Sequence, residues 1–432
     1  MPTDARVRLW GRDIGAISWL TERNLGVFQY TAEFARSRIE ICPLKMPLRE
    51  FPYEFPALPG ITFKGLPGML ADCLPDKWGN ALIDTWLAAQ GRTPDSFNPV
   101  ERLCYIGRRG MGALEFEPAH SATAGDRQAL DIAALVDLSN RVLNSRAKLE
   151  GVLGTTDDHV ALENILKVGT SAGGARAKAI LAWNPLTGVF RSGQLPAESG
   201  FEYWLLKFDG VSGNGDHELA DPAGFGRIEY GYALMAQAAG INMSSCRLHE
   251  EGGRAHFMTR RFDRTADGHK LHMMSLCAMA HFDFNLAGAY SYEQAIQVIR
   301  LLGLGLDAVE EQVRRAFFNV LARNQDDHVK NIAFLMDMSG TWSLSPAFDL
   351  SYAWNPGGAW TGQHQMSLAG KRDGFTTQDL LGFGENVGLK KVRVKRVLSE
   401  VSAAVSRWSE FADVAGVATE RSRQIEQAFR KV

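Results

Sequence analysis

In the last third of the chain, Asn324-Gln-Asp-Asp-His-Val-Lys-Asn331 is followed by a short apolar hairpin pattern and then by Pro346-Ala-Phe-Asp349-Leu350. Phosphoryl transfer to a hydroxyl needs a carboxylate that orients the hydroxyl and takes its proton. Protein kinases place an Asn five residues after that Asp, and a second Asp beyond a hairpin, to hold Mg2+ against the nucleotide phosphates. Asp326 and Asn331 have this D-x-x-x-x-N spacing, and Asp349 follows Asn331 by 18 positions. Carboxylate and amide oxygens suit a hard cation such as Mg2+, whose remaining positions are filled by phosphate. A bare Asp-Asp-His could equally be a solvated pair capping a helix. The hairpin and the second Asp argue against that.

The chain carries its own control. Asp157-Asp158-His159-Val160 repeats the tetrapeptide, but Leu162 stands where the Asn should be and no hairpin with an Asp follows. This copy reads as a helix start with carboxylates at its N-terminus. A metal-dependent hydrolase built on both copies is the competing interpretation.

Upstream lies a glycine-rich loop, Gly169-Thr-Ser-Ala-Gly-Gly-Ala-Arg-Ala-Lys178. It is not a Walker A motif, because Ala175 stands where Lys is required. Gly173 and Gly174 with small neighbours still allow backbone N–H groups to approach phosphate. Lys207 ends the apolar strand Tyr-Trp-Leu-Leu-Lys, where a kinase lysine would meet the phosphates. Glu229, on the following amphipathic helix, is its expected ion-pair partner.

At this point the chain resembles the HipA family of toxin–antitoxin serine/threonine kinases, over nearly its whole length. GLPGMLADCLPDKWGNALI and GRRGMGALEFEP look like that family's N-terminal subdomain. TSAGGARAK looks like its phosphate loop, LLKF its nucleotide lysine, MTRRFDR its hinge, and NQDDHVKN with PAFDLSYAW its catalytic and metal segments. The resemblance implies ATP and Mg2+ as cofactors, Asp326 as catalytic base, Asn331 and Asp349 as metal ligands, and Lys207 as a catalytic phosphate contact. Ser171, Ala172, Gly173, Gly174 and Lys178 would bind nucleotide from the loop, with Glu229, Arg260, Phe262, His328 and Lys330 lining the rest of the site. Ser171 matches the serine that family members autophosphorylate to switch themselves off. There are departures: Arg176 and Ala177 replace the usual Gln and its acidic or Pro neighbour, and Arg260 replaces a frequent hinge acid. The implied partners are a separately encoded DNA-binding antitoxin (HipB-like) and a protein substrate such as an aminoacyl-tRNA synthetase. DNA would be touched only through the antitoxin. A kinase-like co-repressor acting through its antitoxin, and a small-molecule kinase, are the alternatives.

The elements that must position these residues follow from pattern. Runs VRLW, GAISWL, GVFQYT and ITFKGL alternate apolar and polar between turn formers and predict a small antiparallel β unit. GMLADCLPDKWGNALIDTWLAAQG predicts a helix stopping at Gly91. CRLHEE and AHFMTRRF around Gly252-Gly253 predict a hairpin, as does IAFLMDMSGTWSL. Val394 to Phe411 has helical periodicity, and 132–166 likewise. The expected fold is α+β: a two-lobed, protein-kinase-like chain with a β-rich N-terminal subdomain (1–125), a nucleotide-binding lobe (126–265) and a helical catalytic lobe (266–432). The segment Ala119 to Arg127 is the first expected boundary.

Composition sets the frame. The 432 residues exceed one hydrophobic core, and 45% hydrophobic with 22% charged residues exclude wholesale disorder and rods. With 47 basic and 49 acidic residues, no global positive field draws the chain to nucleic acid. Five scattered cysteines without a CxxC pair offer neither a disulfide framework nor a zinc site. The start lacks a signal-peptide pattern and 350–370 is too rich in Gly, Pro, Gln and Asn to span a bilayer, so a cytoplasmic location with no membrane contact is expected. The five basic residues of Lys390–Arg396 read as a solvated helix face, and HMMSLCAMAHFDF as core rather than a cofactor site.

Overall fold

A computed structural model describes residues 4–117, 139, 169, 176–194, 198–211, 224–265 and 267–431. The second Asp-Asp-His copy, the predicted helix over 132–166 apart from Ser139, the boundary segment 119–127 and the loop residues 170–175 lie outside the described residues.

The N-terminal subdomain is built on the antiparallel strands β1 (Asp4–Leu9), β2 (Arg12–Leu20), β3 (Leu25–Tyr30) and β4 (Leu114–Glu117), in the order β3-β2-β1-β4. The alternation in β1 sends Ala5, Val7 and Leu9 into the core and leaves Asp4 and Arg6 exposed. ITFKGL does not form the fourth strand. Gly60–Phe63 is one helical turn, entered from Pro59 and closed by Lys64 at φ 53°. Tyr53 instead meets β3, exchanging both backbone bonds with Phe28. The amides of Thr62, Phe63 and Lys64 are taken up by the Pro59 and Gly60 carbonyls, so the segment closes as a turn rather than pairing in a ladder. The predicted long helix after Gly68 is also broken: Gly68–Ala71 is one turn, and α1 (Lys77–Ala89) restarts after Pro75 with Asp76 as its cap. α2 (Pro99–Ile106) opens with a complete capping box from Asn98 and Glu101.

The second sheet has the order β6-β5-β7-β9-β8, from β5 (Lys178–Trp183), β6 (Phe190–Ser192), β7 (Glu202–Lys207), β8 (Cys246–Glu251) and β9 (Arg254–Arg260). One face, with Ala179, Leu181, Trp204, Leu206 and Met258, packs on Trp78, Leu82, Ile83 and Leu87 of α1. Full burial of each large side chain is worth roughly 1.5–3 kcal/mol, which binds the N-terminal subdomain to this sheet. α3 (Phe225–Ala238) packs beside β8 and β9.

Beyond it, β10 (His272–Ser275), β11 (Ala333–Met336) and β12 (Trp342–Leu344) form a small antiparallel sheet among helices α4 (Tyr292–Leu301), α5 (Leu306–Leu321), α6 (Thr377–Asn386), α7 (Lys391–Val405), α8 (Trp408–Ala415) and α9 (Thr419–Ala428). The stretch read as one helix to Phe411 is two, separated at Ser406 and Arg407, because Trp408 turns into the core against Tyr232 and Phe429. Met274, Leu276, Cys277 and Met279 are core, as their pattern predicts. Arg393 and Arg396 of the basic stretch pair with Asp307, Glu310 and Glu400. All five cysteines are free thiols, and no helix among the described residues is long and apolar enough to cross a membrane.

Candidate active site

The strand register creates the site's charge. Lys178 and Lys207 are direct partners in the β5–β7 pair, so their side chains leave the same face of the sheet. That face is opposite the one packed on α1. Two ammonium groups side by side would repel, and each has its own carboxylate. Lys207 Nζ lies 2.5 Å from Glu229 Oε1 on α3 and also pairs with Asp349. Burial disfavours the Lys207 charge, but Asp349 and Glu229 outweigh it and hold the ammonium above its ordinary range. Burial likewise resists ionisation of Asp349, and Lys207 overcomes it, so that carboxyl sits below the usual range. Asp349 adopts φ 52°, a left-handed conformation that Asp tolerates better than most residues. Its side chain stays 32% exposed. The Arg176 guanidinium approaches the other oxygen of Glu229 at 3.7 Å and stacks 3.5 Å over the Phe225 ring.

Lys178 Nζ bonds Asp76 Oδ2 at 2.8 Å, while Asp76 Oδ1 caps α1 at Gly79 N, 2.6 Å away. The Trp78 indole N–H donates to the Lys178 carbonyl at 3.1 Å. Gly169, at the other stem of the glycine-rich loop, lies against the same helix. A Cβ there would come 2.7 Å from the tip of Leu82, 3.1 Å from Trp78 Nε1 and 3.3 Å from the Lys178 carbonyl, so the glycine lets this stem lie close against the helix. Both stems of the loop are thus seated on α1. Ser171, Ala172, Gly173 and Gly174, expected to cradle phosphate, lie outside the described residues.

The catalytic segment leaves α5 and forms a tight turn. His328 N and Asn331 N donate to the carbonyls of Asp326 and His328, and Asn331 Nδ2 donates to the Asp326 carbonyl at 2.9 Å. That bond leaves the Asn331 side-chain oxygen as an acceptor beside Asp326. An amide oxygen held this way, with the Asp349 carboxylate, is the hard-oxygen chemistry a Mg2+ ion takes, so the residues fit the ion. No cluster of three or more His, Cys, Asp or Glu residues suited to a metal occurs among the described residues. The spacing with an Asn is therefore the relevant signal.

The remaining candidates separate. Phe262 stacks on Phe348, next to Asp349, with ring centroids 5.5 Å apart. Lys330 Nζ sits 4.8 Å over Phe284, and its charge acts on Asp76. The His328 ring lies 5.6 Å from Phe284, and its buried Nδ1 has no hydrogen-bond partner among the described residues. Arg260 faces the other way: it pairs in register with Trp204, on the face opposite Lys207, and its guanidinium lies 3.8 Å from Glu202. The structure does not bring that side chain to the lysines.

Sequence reasoning missed Asp76, Asp327 and Trp360. Asp76 carries a recognisable N-cap signature, but nothing local shows its second oxygen reaching Lys178. Asp327, 3% exposed, accepts from Tyr292 and the Gln365 backbone and bonds His364. It anchors the loop, whereas Asp326 remains half-buried.

Comparisons with known proteins bear on the family and the fold. Residues 170–408 match the HipA-like C-terminal domain and residues 5–117 the HipA N-terminal domain. No curated protein matches the chain. Among solved structures, HipA of Shewanella oneidensis MR-1, in complex with HipB and operator DNA, superposes with a TM-score of 0.66 at 17% identity. The match covers 98% of this chain and 94% of that one, which shows a shared fold. The Helicobacter pylori proinflammatory kinase CtkA is similar at a TM-score of only 0.29 and 11% identity, over 52% of this chain and 92% of its own.

Proposed function

Since the chain belongs to the HipA family, with its kinase-like fold, we propose that it is a Mg2+- and ATP-dependent protein serine/threonine kinase acting as the toxin of a toxin–antitoxin pair. The observation that carries this reading is Lys207 paired at once with Glu229 and Asp349. Kinases need that lysine–glutamate pair and the metal-binding Asp together before transfer occurs. A bare scaffold has no use for a lysine charged between two carboxylates.

In this reading Lys207 holds the nucleotide phosphates and Glu229 fixes its direction. Lys178 would add positive charge beside Lys207, and the loop residues Ser171 to Gly174 would offer backbone donors to the phosphates. Phe262 lines the hinge, and Arg260 would contribute through its backbone. His328 and Lys330 complete the catalytic turn. Asp326 orients the acceptor hydroxyl and takes its proton. Bound Mg2+, held by Asn331 and Asp349, would neutralise charge on the phosphates. The division into 1–125, 126–265 and 266–432 is the working domain plan.

The partner we assign is a HipB-like, DNA-binding antitoxin, because the structurally similar Shewanella protein was solved with HipB and operator DNA. The protein substrate would be a translation component such as an aminoacyl-tRNA synthetase, and Ser171 the site of self-modification. Incubating the purified protein with labelled ATP, Mg2+ and cell lysate tests the reading. Label on a lysate protein and on the kinase supports it. Antitoxin binding without any transfer would leave the co-repressor alternative.

A further inference from the structure

Beyond Trp354 the sequence to Gly370 carries no motif, yet residues 360–365 lie along the catalytic turn. Five hydrogen bonds stitch the two segments together. Trp360 Nε1 donates to Asp326 Oδ1 at 2.7 Å. Gln325 Nε2 donates to the Thr361 carbonyl at 3.1 Å, and Gln365 Nε2 returns to the Gln325 carbonyl at 3.2 Å. Gln365 N donates to Asp327 Oδ1 at 2.8 Å, and His364 Nδ1 lies 2.8 Å from Asp327 Oδ2. Arg430 Nη1 donates to His364 Nε2 at 2.7 Å, so the ring proton is on Nδ1 and is given to Asp327. The two adjacent aspartates therefore divide the work: buried Asp327 locks the segment in place, and half-buried Asp326 receives the indole.

We propose that Trp360 is a positioning residue for the catalytic base: its indole N–H, held in place through the Asp327–Gln365–His364 lock, fixes the rotation of the Asp326 carboxylate toward the acceptor hydroxyl. The inference rests on Asp326 being the base. A carboxylate that can turn freely spends little time aimed at the hydroxyl.

The test uses the full chain with Mg2+-ATP and a protein acceptor. Trp360→Phe keeps the ring and removes the N–H. A hydrogen bond to a charged group predicts a roughly 10- to 100-fold fall in kcat. KM for ATP should be unchanged, so the loss falls on kcat alone. Benzothienylalanine at position 360, isosteric with Trp but lacking the N–H, should do the same if the Phe variant folds poorly. Wild-type kcat in either variant overturns the proposal. So does a loss confined to KM for ATP, which would place Trp360 in nucleotide binding. Asp326→Ala runs alongside: near-wild-type transfer there removes the base itself and overturns the kinase reading, whereas a dead Asp326→Ala beside an unaffected Trp360→Phe sinks this inference alone.

Discussion

Asp76 and Lys178, 102 residues apart, form an ion pair of 2.8 Å with side chains only 4% and 1% exposed. One group caps the first long helix of the N-terminal subdomain, and the other opens the strand after the glycine-rich loop. The N-terminal subdomain thereby fixes one end of the second sheet. Burial pushes the Asp76 carboxyl up, and Lys178 pulls it back.

Breaking this pair should be costly. Asp76→Asn can still cap α1 but takes the carboxylate away from a buried ammonium, which costs about 3–5 kcal/mol. Adding Lys178→Met should recover a large part of that loss. Urea denaturation of the single and double variants measures both; a single variant as stable as wild type would contradict the buried pair.

Asp326→Ala should abolish phosphoryl transfer while leaving ATP binding largely intact. General-base positioning contributes on the order of 10²–10⁴-fold, and the base touches the acceptor rather than the nucleotide. Transfer assays paired with nucleotide-binding calorimetry separate the two effects.

Asp349→Ala should weaken Mg2+-dependent nucleotide binding as well as turnover. It removes a metal carboxylate and one of the two counter-charges on Lys207. Asp157→Ala, in the repeated Asp-Asp-His, should alter neither. Equal losses at both positions would point to a metal site shared by the two copies.

Ser171 should be the autophosphorylation site. A phosphoserine adds about −1.5 to −2 charges at pH 7, which would repel the nucleotide phosphates and compete for the same backbone donors. Ser171→Asp should lose ATP affinity, and Ser171→Ala should bind ATP but not switch itself off. Phosphopeptide mapping decides: phosphate only outside residues 169–178 rejects the assignment, and phosphate on Thr170 shifts it by one residue.

Stability should fall as the solution is acidified below about pH 6.5. Burial pushes His272 and His256 down to about 4 from an ordinary 6.5. The unfolded chain therefore takes up protons first, and stability declines as pH drops from about 6.5 to about 4. For His272 the loss reaches about 3 kcal/mol at about 1.4 kcal/mol per pH unit. Its Nε2 donates to the Ile41 carbonyl at 2.9 Å, so His272→Gln retains a donor without titrating. Denaturation midpoints between pH 7 and pH 4.5 should show a shallower acid slope for that variant.

Much of the site was legible because its signals are local. Asp326 and Asn331 are five apart since one tight turn carries both, and the turn is closed by bonds within six residues. The hairpin before Asp349 follows from strand alternation and a Ser-Gly turn, and Glu229 follows from the face of an amphipathic helix. Strand endings likewise placed Lys207. Where short-range competition decided the outcome, pattern alone was insufficient: ITFKGL has the alternation of a strand, but its first amides bond locally to Pro59 and Gly60 and close a turn instead.

Sequence by itself determined the kinase-like order of motifs and the residues that could hold phosphate and metal, because each motif is written in neighbouring positions. Only the tertiary structure decided which charges meet. Lys178 turned out to be held by Asp76, and Arg260 to face away from Lys207, because sheet register and the packing of α1 set those directions. Trp360 reaches Asp326 from 34 residues away. Such a bond depends on where two irregular loops come together, and no periodicity or spacing along the chain encodes that meeting.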